Sequence, residues 1–186
     1  MKTISLIFLA TLLLLGCSKN DEPPKAPVDQ LPAATQVGAN KVGCLVDGEV
    51  FLPRGSNPLG PPIVTCFYQY VNNNWQFGIG FSNNQNAMIR NLSIGLNNFE
   101  LSPNSTVILK KNNGNVLNNS YANFTNNGGG NGLGYITNDI HNGKLIITRL
   151  DQTNAIISGT FWFDAVNNSG EIVKITEGRF DMKYSQ

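Results

Sequence analysis

Hydrophobic and polar positions divide the chain into three regimes. From Ile4 to Leu15 the residues are apolar apart from Ser5 and Thr11. From Ser18 to about Asn40 there is no hydrophobic period, and Pro23, Pro24, Pro27 and Pro32 interrupt a polar stretch. Beyond Asn40, short runs of β-branched and aromatic residues alternate with polar ones, with Gly, Asn and Pro between them and no amphipathic helical period anywhere. These regimes predict three segments: 1–16, 17–40 as a flexible Pro-containing tether, and 41–186 as one all-β domain. The last is long enough to bury its own core.

Several elements are predicted in detail. Cys44 to Val46 and Glu49 to Leu52 flank Asp47-Gly48, a dipeptide that tolerates positive φ and suits a two-residue hairpin turn. Ile63 to Tyr70 and Trp75 to Ser82 flank Asn72-Asn73-Asn74, a second hairpin. In its returning strand Trp75, Phe77, Ile79 and Phe81 share one face, so one side of that strand is expected in the core. Met88, Leu92, Ile94 and Leu96 continue the pattern. A turn at Pro103-Asn104 and strands over 106–111 and 121–124 follow. After Gly128-Gly129-Gly130-Asn131-Gly132, read as a hairpin tip, come strands over 145–150, 155–165 and 171–184, the last with a bulge expected at Gly178. In 155–165 the residues Ala155, Ile157, Phe161, Phe163 and Ala165 take the core face, leaving Ile156, Ser158, Thr160, Trp162 and Asp164 opposite. About ten antiparallel strands result, and periodicity accommodates a β-sandwich or a barrel-like closure equally.

The apolar run near the start is too short for a spanning helix, which needs about 20 residues, and Lys2 before it supplies the positive end of an export signal. It ends in Leu14-Leu15-Gly16-Cys17, which resembles the lipobox of bacterial lipoproteins. That resemblance implies a signal peptide over 1–16, cleavage before Cys17 and lipidation of Cys17 with three acyl chains, palmitate among them. Each buried CH₂ contributes about 0.8 kcal/mol, so such an anchor is firm. A Pro-containing tether of about twenty residues extends at about 3.1 Å per residue and reaches roughly 60 to 70 Å. Ser18 stands where enteric lipoproteins retained at the inner membrane carry aspartate, which points to the outer membrane. Lys19-Asn20-Asp21-Glu22 resembles the surface-export signal of Bacteroidota lipoproteins, with Asn20 departing from its usual run of acids. Surface exposure is the expectation; the periplasmic face is the alternative.

Two further regions carry a family resemblance. Ile157 to Ala165 with Ile175 to Asp181, together with Gly43-Cys44-Leu45-Val46-Asp47-Gly48, resemble a family of small Bacteroidota outer-membrane lipoproteins to which no activity is assigned. The resemblance implies a β-rich, lipid-anchored, exported domain and carries over no catalytic residue.

Charge narrows the choice of partner. The chain has 13 Lys and Arg against 12 Asp and Glu, and removing Lys2 with the signal leaves the two balanced. Phosphate binding draws on clustered cations, and the longest basic run here is Lys110-Lys111, so no nucleic acid is expected. A charged fraction of 13% is about half that of a typical domain, with asparagine supplying much of the polarity. With Cys17 committed to lipid, Cys44 and Cys66 remain. In an oxidising compartment they are a candidate disulfide closing a loop of about 22 residues, a stabilisation of about 3 kcal/mol. Two separate buried thiols are the alternative.

Candidate chemistry is sparse. His141, the only histidine, falls in a turn, and although Asp139 stands two residues before it, no second cluster has ligand spacing, so no metal site is expected. Asp151 and Asn154 frame a turn that their own side chains cap. Asp164, Glu171, Glu177 and Asp181 fall at strand ends or on outward positions and read as solvated charges, not as a facing catalytic pair. No Gly-x-Ser-x-Gly elbow occurs, and the glycines of 128–134 lack the βαβ setting of a phosphate cradle. No catalytic residue and no cofactor is expected. Trp162 is the candidate ligand contact, because an outward tryptophan stacks on a sugar or a partner surface; packing beneath a loop is the alternative. Trp75 is expected in the core. The leading reading is a non-catalytic, lipid-anchored envelope protein whose β-domain binds a glycan or protein partner. An envelope glycan hydrolase and a structural subunit of a surface complex are the alternatives.

Overall fold

The structure, a computed structural model, describes residues 24–56, 60, 62–85, 89–111, 118–127 and 133–186. Cys17, expected as the lipidation site, the residues 18–22 expected to direct sorting, and the glycine run 128–132 lie outside these. Among the described residues no helix is long and apolar enough to cross a membrane.

Turn chemistry sets the hairpins. β1 (Lys41–Val46) and β2 (Glu49–Phe51) pair antiparallel with Cys44 opposite Phe51. Both turn residues between them have positive φ, 50° at Asp47 and 84° at Gly48, the geometry that matches strand twist. β3 (Val64–Val71) and β4 (Asn74–Asn83) are joined likewise, with Asn72 and Asn73 at φ 51° and 62°. The loop is therefore two asparagines, and Asn74 already belongs to the strand. β5 (Arg90–Asn97), β6 (Thr106–Leu109) and β7 (Asn119–Asn126) follow. Then come β8 (Leu133–Ile136), a short strand the alternation did not reveal, β9 (Gly143–Asp151), β10 (Ile156–Val166) and β11 (Ile172–Lys183).

All eleven strands belong to one sheet in the order β2-β1-β11-β10-β8-β7-β5-β4-β3, with β9 and β6 branching from β10. Every ladder is antiparallel. The sheet wraps around its own apolar face. Phe77 on β4 and Phe180 on β11 are far apart along the path, yet their ring centroids are 6.2 Å apart; Phe51 on β2 lies 5.7 Å from Phe124 on β7. The ends of the path approach each other through single bridges, Arg54 to Asn83 and Phe67 to Ser185, without a continuous ladder. An open, barrel-like domain results, with one core in which Phe77, Ile79, Phe81, Leu92, Ile94, Phe161, Phe163 and Ala165 are buried as their alternation predicts.

The domain begins earlier than residue 41. Residues expected as tether carry structure: Pro27–Gln30 form a 3-10 turn, Leu31 is buried, and 35–39 form a strap across the outer face of β10 and β11. The strap also corrects two readings on that face. Ile156 and Ser158 were expected to face solvent, but both are buried, Ser158 completely.

Candidate functional site

The strap is fastened by Asp181, which was expected as a solvated charge and is 1% exposed. Its carboxylate accepts hydrogen bonds from Thr35 Oγ1 at 2.6 Å, Gly38 N at 2.7 Å, Val37 N at 3.0 Å and Ala39 N at 3.2 Å. Ser158, directly opposite on β10, donates a fifth at 2.8 Å. Burial alone raises its pKa. The hydrogen bonds from Thr35, Val37, Gly38 and Ser158 more than offset that effect and hold the carboxyl well below the usual carboxylate range. Alternation correctly placed Asp181 on the outer face; it carried no information about what covers that face. The sequence cue was Gly38, whose φ of 73° lets the strap turn its amides inward.

Beside the strap, the outer face of β9, β10 and β11 becomes concave. Between Phe161 opposite Gly178 and Phe163 opposite Ile175, the single residue Trp162 faces two residues of β11, Thr176 and Glu177. The bulge expected at Gly178 is thus centred one residue earlier, on Glu177, which has a left-handed φ of 54°. Gly178 has a different role. A Cβ there would lie 2.4 Å from the Phe161 ring and 2.6 Å from its carbonyl oxygen, so only glycine allows the close approach.

Bulge, sheet and Ala34, just before the strap, line a groove of about 390 Å³. Trp162 lies along it, 44% exposed, opposite Lys144 on β9. Thr160 is two residues away on the same face, with Arg179 and Ile146 as its cross-strand neighbours. Arg179 is occupied: its Nη2 lies 3.1 Å from the Glu177 carboxylate and its Nε donates to the Glu177 carbonyl oxygen at 3.2 Å. Lys144 has no ion-pair partner among the described residues. The groove thus combines an exposed indole, threonine hydroxyls and a cation, with Ala34 as a rim. Such a set holds a ligand by stacking and hydrogen bonding.

The other candidates separate from this groove. Cys44 and Cys66 are both buried free thiols in this structure, the alternative to the bridge. Burial pushes the Cys66 thiol up to about 12 and the Cys44 thiol higher still. His141 and Asp139 belong to a loop in which the Asn138 side chain accepts the backbone N–H groups of Ile140 and His141. No three potential ligands cluster for a metal ion among the described residues. Asp151 caps its turn as expected: it accepts Asn154 N at 3.0 Å and Asn154 Nδ2 at 2.9 Å. With Arg149 these bonds lower its carboxyl to about 2. Glu171 accepts from Asn167 Nδ2 at 2.7 Å. Among the described residues lining the Trp162 groove, Glu177 is the one carboxylate. Trp75 is only partly buried against the core.

Comparison with known proteins adds one result. No curated protein and no solved structure matches the chain. A family model described as DUF6252, a domain of unknown function, matches residues 79–182. That span runs from within β4 to the penultimate residue of β11 and takes in Trp162, the Glu177 bulge and Asp181, more than half of the sequence. On that match, the chain belongs to the DUF6252 family.

Proposed function

We propose that this chain is a Bacteroidota-type lipoprotein, anchored in the outer membrane through lipid on Cys17, whose β-domain binds a glycan or protein partner in the Trp162 groove without catalysis. The observation that carries the reading is that Trp162 stands exposed in a concavity that a backbone bulge opens beside a docked strap. An indole covered by a loop would have no such role. Lys144 and the threonine hydroxyls add polar recognition beside the aromatic face. A glycan hydrolase would call for a second carboxylate facing Glu177, and Glu177 is already engaged by Arg179.

The address rests on the export signal, the lipobox-like Leu14-Leu15-Gly16-Cys17 and the Lys19-Asn20-Asp21-Glu22 run. The docked strap shortens the reach inferred from composition. Ten residue steps separate Cys17 from Pro27, where the 3-10 turn starts, and at full extension these span about 35 Å. The domain therefore works close to its membrane.

The test is retention from solubilised envelope on immobilised full-length protein, wild type beside Trp162→Ala. A component held by the wild type and lost from the variant is the expected result. Equal retention by both, or none by either, overturns the groove as the binding site.

A further inference from the structure

A column of aromatic rings climbs out of the core at the barrel end that carries the Asn72-Asn73 turn, the 152–155 turn and the C-terminus. Tyr68 and Tyr70 are two residues apart on β3 and share a face; Trp75 stands opposite Tyr70 in the ladder. Tyr68 is buried, with its ring stacked on Trp75 at 4.7 Å and 13°, and its hydroxyl accepts the Leu101 N–H at 2.9 Å. Tyr70 packs against Trp75 at 5.1 Å with its ring tilted by 55°, and is 57% exposed. Tyr184 meets Tyr68 edge-on at 5.9 Å. The exposed end of this column is therefore held by rings beneath it.

The rings line a trough of about 370 Å³ together with Gln69, Gln152 and Gln186, where the Gln186 carboxamide donates to the Gln152 backbone carbonyl oxygen at 3.4 Å. No charged side chain lines it among the described residues. We propose that this trough is a second binding site, separate from the Trp162 groove, and that its ligand is a neutral glycan. A pyranose has an apolar C–H face and a rim of hydroxyls. The face suits the exposed Tyr70 ring beside Trp75, and carboxamides, which both donate and accept, suit the rim. A charged ligand would meet no counter-charge among the residues lining the trough. A purely apolar ligand would strip water from the amides and return no hydrogen bond. Because Tyr70 already rests against Trp75, little side-chain freedom is lost when it takes up a ligand.

The experiment is native affinity electrophoresis of purified full-length protein in gels containing hydroxyethylcellulose, xyloglucan or yeast mannan, with polygalacturonate as the anionic control. At least one neutral polymer is expected to retard wild-type and Trp162→Ala protein alike. Tyr70→Ala, at an exposed position that leaves the fold intact, should weaken that retardation about tenfold, about 1.4 kcal/mol, while Tyr70→Phe keeps it. A second readout uses Trp162→Phe, in which Trp75 is the remaining tryptophan. Its emission should move to shorter wavelength as the retarding polymer is added. The proposal is overturned if none of the three neutral polymers retards the protein, if Tyr70→Ala migrates as the wild type does, or if polygalacturonate retards as strongly. Retardation lost in Trp162→Ala and kept in Tyr70→Ala would assign the sugar to the outer groove, ending this proposal and supporting the other.

Discussion

Asp181→Asn offers the sharpest test of how the domain is held together. The substitution keeps the size of the side chain but removes the charge that five donors share, and it turns an N–H₂ group toward other N–H groups. Hydrogen bonds to a charged group contribute about 1.5–3 kcal/mol each, so leaving all five broken in a closed strap would cost more than about 7 kcal/mol. The strap has a less costly route, which is to lift. The amides of Val37, Gly38 and Ala39 then bond to water, and what is lost is the Ser158 bond and the packing of the strap on Ile156. That packing is close: a Cβ added at Gly38 would lie 3.0 Å from Ile156 Cγ1. The expected loss is about 2–4 kcal/mol, a fall in Tm of about 5–12 °C for a domain of this size. Because the folded-state pKa of Asp181 lies below its unfolded value of about 3.9, its contribution is whole above that value and fades as pH falls through and below it. The gap between wild type and Asp181→Asn should hence be constant from about pH 7 to 5 and narrow below about pH 4. Urea unfolding across this range measures it, and hydrogen exchange at residues 37–39 reads the strap directly. A stability loss under about 0.5 kcal/mol, or unchanged protection of those three amides, would refute the clasp.

Cys17→Ala is expected to abolish labelling by a fatty-acid analogue and release the protein from the membrane fraction; persistent labelling would refute the anchor. Protease added to intact cells should digest the domain, and alanine at Lys19, Asp21 and Glu22 together should protect it, whereas wild-type resistance until the outer membrane is opened would place it on the periplasmic face. Cys44 and Cys66 should resist alkylation in the folded protein, since burial keeps both thiols protonated at neutral pH, and both should react in denaturant without reductant; a linked peptide in mass mapping would contradict this. Gly178→Ala should destabilise by about 2–3 kcal/mol through its clash with Phe161, and a melting temperature equal to that of the wild type would show that the bulge relaxes freely.

Much of the barrel was legible in the sequence because its information is local. Asp47-Gly48 and Asn72-Asn73 accept positive φ whatever surrounds them, so they mark hairpins by themselves. Period-two alternation likewise assigned Phe77, Ile79 and Phe81 to one face before any partner strand was known. It also placed Trp162 and Asp181 outward, which is where they point. Their opposite fates were decided by tertiary structure alone. A strap from residues 35–39 crosses one part of the outer face and seals Asp181 and Ser158 beneath it; it stops short of Trp162, where the Glu177 bulge opens the sheet. Periodicity reports which side of a strand a residue is on, while burial depends on what arrives from elsewhere in the chain. The same reason explains Cys44 and Cys66, whose positions in strands were readable but whose relation to each other depends on how an eleven-stranded sheet wraps. It explains Tyr70 and Trp75 as well. Alternation groups Trp75 with core residues, and only the end of the barrel decides where the core stops and an exposed aromatic trough begins.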